Sequence, residues 1–165
     1  MAGTLTGVLA LGTLNAGSAT AADWEEMYSS GVGVCMTPYG GGTGNGANIV
    51  QWDCDPIDNV PAHNWSWETV SGGNQIRNRV SNKRVTLYGG STANGVNLVQ
   101  WDCNGSAAQK WYKDGSAPDA IIIHAVSRKC MTSKGGNQRS NGVEITLWDC
   151  NGHYSQNWFV RDIHS

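Results

Sequence analysis

The chain has 165 residues, a formal net charge of −2 and a pI near 6.0. That length fits one domain around one core, and the absence of a basic face or stripe argues against nucleic acid as a partner. With 22 glycines, eight tryptophans and a single phenylalanine, the composition points to short strands joined by tight turns, with tryptophan supplying either a large core or flat rings displayed for a ligand.

Residues 1–22 read as a signal peptide. Leu5 to Ala16 is apolar or small, and Ser18-Ala19-Thr20-Ala21-Ala22 offers a cleavage site after Ala21 or Ala22. No Lys or Arg precedes the apolar run, so the start of the leader is expected upstream of Met1. The run is too short, and too interrupted by Gly and Asn, to span a membrane. The rest, 23–165, reads as a single domain with a secreted, extracellular destination. Trp24 to Gly33 is a lead-in that supplies the first strand.

From Val34 onward one unit is written three times, over about 34–81, 82–127 and 128–165. The opening strands read Cys35-Met36-Thr37-Pro38-Tyr39-Gly40-Gly41, then Arg84-Val85-Thr86-Leu87-Tyr88-Gly89-Gly90, then Cys130-Met131-Thr132-Ser133-Lys134-Gly135-Gly136. A turn follows in each, at Asn45-Gly46, Asn94-Gly95 and Asn141-Gly142, and Asn-Gly favours hairpin turns. Next come Val50-Gln51-Trp52-Asp53-Cys54, Val99-Gln100-Trp101-Asp102-Cys103 and Thr146-Leu147-Trp148-Asp149-Cys150. The units close on His63-Asn64-Trp65, Gln109-Lys110-Trp111 and Gln156-Asn157-Trp158. The first tryptophans recur at intervals of 49 and 47 residues, the second at 46 and 47, so six tryptophans are fixed by a repeat.

At the ends of the first two units, Gln75 to Val80 alternates like a half-buried strand, while Ala120 to Val126 is apolar enough to be buried on both faces. No window shows a sustained helical period. The expectation is an all-β fold of roughly four strands per unit, about twelve in all, closed into a barrel that leaves no exposed sheet edge. A unit of about 45 residues cannot bury enough surface alone, so the three must share one core.

Five cysteines leave one over. Cys35 and Cys54 sit on the opening and closing strands of the first unit, and Cys130 and Cys150 do so in the third. The second unit has Arg84 opposite Cys103. Bridges Cys35–Cys54 and Cys130–Cys150 are expected, with Cys103 a buried free thiol. Each closes a loop of about twenty residues, for which chain entropy suggests roughly 3 kcal/mol, and both suit an oxidising destination. A metal site is the rival use of these cysteines, but no pair has C-x-x-C spacing and the histidines follow no ligand pattern. No metal and no cofactor are expected.

The register of opening strand, Asn-Gly turn, Trp-Asp-Cys-Asn-Gly and Gln-x-Trp resembles the ricin B-chain-type β-trefoil lectin family over about residues 32 to 161. The resemblance implies a β-trefoil with one shallow site per unit for galactose-like or xylan-like sugars, bound without catalysis. It implies a tryptophan platform at Trp52, Trp101 and Trp148. It also brings departures. Where sugar-binding members carry an Asp on the opening strand, this chain has Thr37, Thr86 and Thr132, and a hydroxyl makes weaker bonds than a carboxylate. The family's Asn before the Gln of Gln-x-Trp is Ala62, Ala108 and Ser155 here. Its Gln two residues before the first tryptophan is Val50, Val99 and Thr146, and His63 replaces the first Gln of Gln-x-Trp.

Candidate carbohydrate-binding residues are therefore Trp52, Trp101 and Trp148 for ring stacking, against plain core packing. Alternation places Leu147 opposite Trp148 and so exposes Trp148, while Gln51 and Gln100 in that place leave open an inward turn of Trp52 and Trp101. Thr37, Thr86 and Thr132 with Tyr39, Tyr88 and Asn141 form a neutral hydroxyl-binding set, against simple β-propensity. Gln109 and Gln156 either hold the loop or reach the ligand. Trp65, Trp111 and Trp158 belong to the core. Asp53, Asp102 and Asp149 lie too far apart to act as a glycosidase pair and cap loops instead. The chain has no G-x-S-x-G, H-E-x-x-H or phosphate-loop motif, so an enzyme is not expected. The reading is a monomeric module whose partner is carbohydrate. Its alternative is a degenerate trefoil that binds a protein.

Overall fold

A computed structural model describes residues 23–55, 60–116, 120–137 and 139–163. The expected leader, residues 1–22, lies outside them. Among the described residues, twelve strands form one antiparallel sheet. They are β1 Trp24–Ser29, β2 Val34–Pro38, β3 Ile49–Asp53, β4 Asn64–Val70, β5 Gly73–Asn78, β6 Arg84–Leu87, β7 Leu98–Trp101, β8 Trp111–Asp114, β9 Ala120–His124, β10 Cys130–Ser133, β11 Ile145–Trp148 and β12 Asn157–Ile163. Helical structure among the described residues is confined to single turns, none long or apolar enough to cross a membrane.

The pairing closes on itself. β1 bonds β4, β4 bonds β5, β5 bonds β8, β8 bonds β9, β9 bonds β12, and β12 returns to β1 with Trp24 opposite Ile163. That six-stranded barrel is capped at one end by three hairpins, β2–β3, β6–β7 and β10–β11, each joined to the barrel through its first strand. The result is a β-trefoil. Structurally its units begin at β1, β5 and β9, so the barrel strands β5 and β9 that open the second and third units are segments the sequence repeat assigns to the end of the preceding copy, and β1 is its lead-in.

One core serves all three units, in symmetric layers. Met27, Ile76 and Ile122 come from the barrel strands. Met36, Val85 and Met131 come from the first hairpin strands, and Ile49, Leu98 and Ile145 from the second. Trp65, Trp111 and Trp158 complete it with no exposed surface. Their indole N–H groups donate to the carbonyls of Met36 (2.9 Å), Val85 (3.1 Å) and Met131 (3.1 Å). A buried indole left without such a partner would be penalised, so each closing tryptophan is locked to the opening strand of its own hairpin.

The hairpins grip one another in a ring. Gly46 N–H donates to the Gln100 carbonyl and Gln100 N–H to that of Ala47. The same pair recurs between Gly95 or Val96 and Leu147, and between Gly142 or Val143 and Gln51. Hairpins were expected to turn at Asn-Gly. Instead residues 39–48 connect β2 to β3, and the Asn-Gly segment docks on the neighbouring unit. Gly46, Gly95 and Gly142 have φ near +84° while their asparagines do not have positive φ, so the two-residue turn with both centres left-handed is not formed.

Other expectations are adjusted in detail. Ile121 and Ile123 are half-buried, since β9 turns only Ala120, Ile122 and His124 fully inward. Cys103 is exposed, because it stands just past the end of β7; its thiol donates to Gln75 Oε1 at 3.4 Å. The bridges Cys35–Cys54 and Cys130–Cys150 are both present, with Cα atoms 5.1 Å apart.

Trp158→Ala should lower unfolding free energy by about 3–5 kcal/mol through the cavity it leaves, measured by urea titration. Trp148→Ala, which removes an exposed ring, should cost less than about 1 kcal/mol. A second expectation concerns pH. Buried His124 accepts from Ser127 N–H at Nδ1 (3.2 Å), so Nε2–H donates to the Ala107 carbonyl (2.9 Å) and the ring is neutral. Burial holds its pKa below the ordinary histidine value, and burial does the same for His63. Above about pH 6.5 both rings are neutral folded and unfolded. Below it the unfolded chain takes up protons the folded state resists, so stability falls with pH until the depressed folded pKa is passed. The urea midpoint should drop between about pH 7.5 and about pH 5, and His124→Gln should reduce that drop.

Candidate functional site

Each unit carries a surface groove in the same place. Its floor is the threonine of the opening strand, one wall is a Gly-Gly turn, and the other is the helical turn that precedes the buried tryptophan. In the first unit these are Thr37, Gly40-Gly41 and Pro61–His63; in the second Thr86, Gly89-Gly90 and Ala107–Gln109; in the third Thr132, Gly135-Gly136 and Tyr154–Gln156. Volumes are about 610, 530 and 270 Å³ in chain order. Both glycines of each pair have positive φ, from +61° to +82°, a run of two that other residues avoid.

The platform tryptophans stand open in these grooves. Trp52, Trp101 and Trp148 are 39%, 39% and 44% exposed, and each lines its own groove. Two of them meet a glycine of the unit before, with Gly46 against Trp101 and Gly95 against Trp148. Gly142 lies instead against Tyr39, whose ring meets Trp52 edge-on at 6.3 Å. Gln51 and Gln100, which left an inward turn open, are fully buried and bonded while the tryptophans face out. Gln100 Nε2 donates to the carbonyls of Gly42 (2.6 Å) and Gly44 (3.1 Å) and its Oε1 accepts from Ser81 (2.7 Å). Gln51 Oε1 accepts from Ser133. Two carboxamides thus brace adjacent units where Leu147 fills the third place.

The other candidates fall into different places. Thr37, Thr86 and Thr132 line the grooves but are at most 9% exposed. Thr86 donates to the Arg84 carbonyl (2.8 Å) and accepts from Gln109 (3.1 Å); Thr132 donates to Cys130 (3.0 Å) and accepts from Gln156 (3.1 Å). Gln109 and Gln156 lie beneath the grooves, not in them. Their Nε2 atoms also reach the carbonyls of Asp102 and Asp149, and their Oε1 atoms accept from Asn104 N–H and Asn151 N–H. They hold the loop. Tyr39 and Tyr88 are 60% and 59% exposed on the shoulders, outside the groove linings.

Asn141 is engaged by another unit. Its amide donates to Asp53 Oδ2 (3.0 Å) and its Oδ1 accepts from Asp53 N–H (2.7 Å). Asn45 makes the same pair of bonds to Asp102, and Asn94 bonds Asp149 Oδ2 at 2.7 Å. The aspartates therefore clasp neighbouring units as well as ending their strands. Lys83 first, then Asn45, holds the Asp102 carboxyl below its ordinary pKa; Asn94, with Lys129, does so for Asp149.

Residues beyond the candidate set also face the grooves. Three positions after each platform tryptophan stand Asp55, Asn104 and Asn151, and all three line their grooves. So do His63 in the first, Ser106 in the second, and Lys134 and His153 in the third. The repeat alignment carried this signal at the position after the cysteine. Among the described residues, Glu26, Cys35 and His63 bring ligand-type atoms within 4.8 Å of one another. Cys35 is tied up in its disulfide, which leaves no thiolate for a metal.

The trefoil is shared with known structures. The designed threefold-symmetric protein ThreeFoil has TM-score 0.78 and 19% identity, over 85% of this chain and 99% of its own. The Rhizoctonia solani agglutinin has TM-score 0.75 and 18% identity, covering 90% and 100%. The ricin B-like lectin of Macrolepiota procera, solved with lactose, has TM-score 0.72 and 13% identity, covering 87% and 98%. A comparison with curated proteins finds no match. The sequence profile described as "Ricin-type beta-trefoil lectin domain-like" matches residues 27–101 and 61–148. With that match spanning most of the barrel and all three hairpins, the chain belongs to the ricin-type β-trefoil lectin domain-like family.

Proposed function

We propose that the protein is a secreted, monomeric, non-catalytic carbohydrate-binding module that takes galactose-like or xylan-like sugars at up to three grooves. The observation that carries this reading is the threefold display of an indole face beside an apolar-lined groove. A flat ring exposed next to a groove can stack on the apolar face of a pyranose, and the walls supply small polar groups for its hydroxyls. Family membership supports the reading, as does the lactose in the Macrolepiota procera lectin structure. Two disulfides and the leader-like segment 1–22 support secretion. Three weak sites on one body gain from multivalency on a polysaccharide.

A second reading has its own observation. The hydroxyls of Thr86 and Thr132 and the carboxamides of Gln109 and Gln156 bond one another, so the grooves offer sugar fewer directed polar contacts than the family pattern implies. Exposed tryptophans with few polar guides also suit a protein partner. Titration with galactosides, xylo-oligosaccharides and β-glucans, followed by tryptophan fluorescence, separates the two. On the carbohydrate reading Trp148→Ala weakens binding about tenfold, near 1.4 kcal/mol, while the fold persists. Absence of any saccharide response, with capture of a defined protein that depends on the same indoles, would establish the alternative.

A further inference from the structure

The three grooves share a frame but differ in charge. In the second unit Asp102 is paired with Lys83, and in the third Asp149 lies 3.5 Å from Lys129. The residue equivalent to those lysines in the first unit is Val34, wholly buried. No Lys or Arg among the described residues forms an ion pair with Asp53, whose carboxylate bonds the neutral amide of Asn141. The first groove also carries Asp55 where the others carry Asn104 and Asn151. Two carboxylates therefore line it. The third groove instead holds Lys134, itself paired with Glu144 at 2.6 Å, and His153.

The first groove also holds an imidazole, on which the Asp55 carboxylate acts electrostatically. His63 replaces the glutamine that in the other units bonds its own loop. It lines the groove, is 4% exposed, and its Nδ1 has no hydrogen-bond partner. An unsatisfied buried nitrogen of this kind is costly unless something completes it. Burial keeps the ring neutral, so it adds no positive charge against the carboxylates. Beside it, the indole of Trp52 with Tyr39 at its edge offers the kind of aromatic face that attracts a cation.

Resting on the carbohydrate reading above, we infer that the first groove is specific for a saccharide bearing a protonated amine, a glucosamine-type unit. Its ring would stack on Trp52, its ammonium would meet Asp55 and Asp53, and a hydroxyl would come within reach of His63. The second groove, lined by Thr86, Asn104 and Ser106, has no such preference. One chain then recognises two chemical classes of sugar on different faces.

The test is calorimetric titration of the intact, disulfide-bonded protein with glucosamine oligomers and with the same oligomers N-acetylated. The free-amine series should bind about fivefold more tightly, the scale of one partly screened ion pair, and raising the salt should erode that difference alone. Asp55→Asn, which installs the residue of the other grooves, should remove the preference. Trp52→Ala provides a second variant and should remove it too. Equal affinity for the two series, or a preference that survives both substitutions, would overturn the inference. Binding of neutral galacto- or xylo-oligosaccharides without any amine preference would sink this inference and leave the carbohydrate reading standing. Binding of no saccharide would end both.

Discussion

The grip of each hairpin on the next is the constraint from which the rest of the structure follows. Every Asn-Gly segment reaches out of its own unit, lays two backbone bonds along the following second hairpin strand, and sends its asparagine to the aspartate just past the next platform tryptophan. One contact set thereby orders the units around the axis and satisfies backbone groups that a long surface connection would otherwise leave open. It also sets a glycine against two of the platform rings, Gly46 beside Trp101 and Gly95 beside Trp148. A single Cβ at Gly95 would come 3.5 Å from the Trp148 ring, in a left-handed conformation that side chains rarely adopt. The display of an indole is therefore a property of two units at once.

Much of this was readable in the chain, for a physical reason. A closed threefold barrel needs the same residue wherever the same burial recurs, so the core tryptophans, the disulfide partners and the strand count are written in the repeat. What could not be read were contacts that leave the repeat. Asn141 looks like a groove residue because it lies near the groove in sequence, yet its partner is Asp53, 88 residues away. Gln51 looks misplaced on a core-facing position until Ser133, across the unit boundary, donates to its side-chain carbonyl. Side-chain periodicity reports which face is buried, and says nothing of which neighbour completes a buried amide.

The grooves show the same division. Their frame was legible as three threonines, three glycine pairs and three tryptophans. Their walls were not, since Gln109 and Gln156 carry the signature of a ligand-reaching amide but are occupied by Thr86, Thr132 and nearby backbone. In the first unit the histidine makes no such bonds, and Thr37 sits 3.4 Å from the carbonyls of Pro38 and Ala62 instead. Departure from the repeat is thus the place to look for chemical individuality, because symmetry supplies the scaffold and each exception is a local choice.

The antiparallel pairing of β1 with β12 has a consequence for how the three units are ordered. It joins the two extremes of the barrel by the same kind of ladder that joins β4 to β5 and β8 to β9. Spatially the ring has no beginning. Covalent order and spatial order are separable in such a body: the chain runs from β1 to β12, while the ladder around the ring is of one kind at all three unit boundaries.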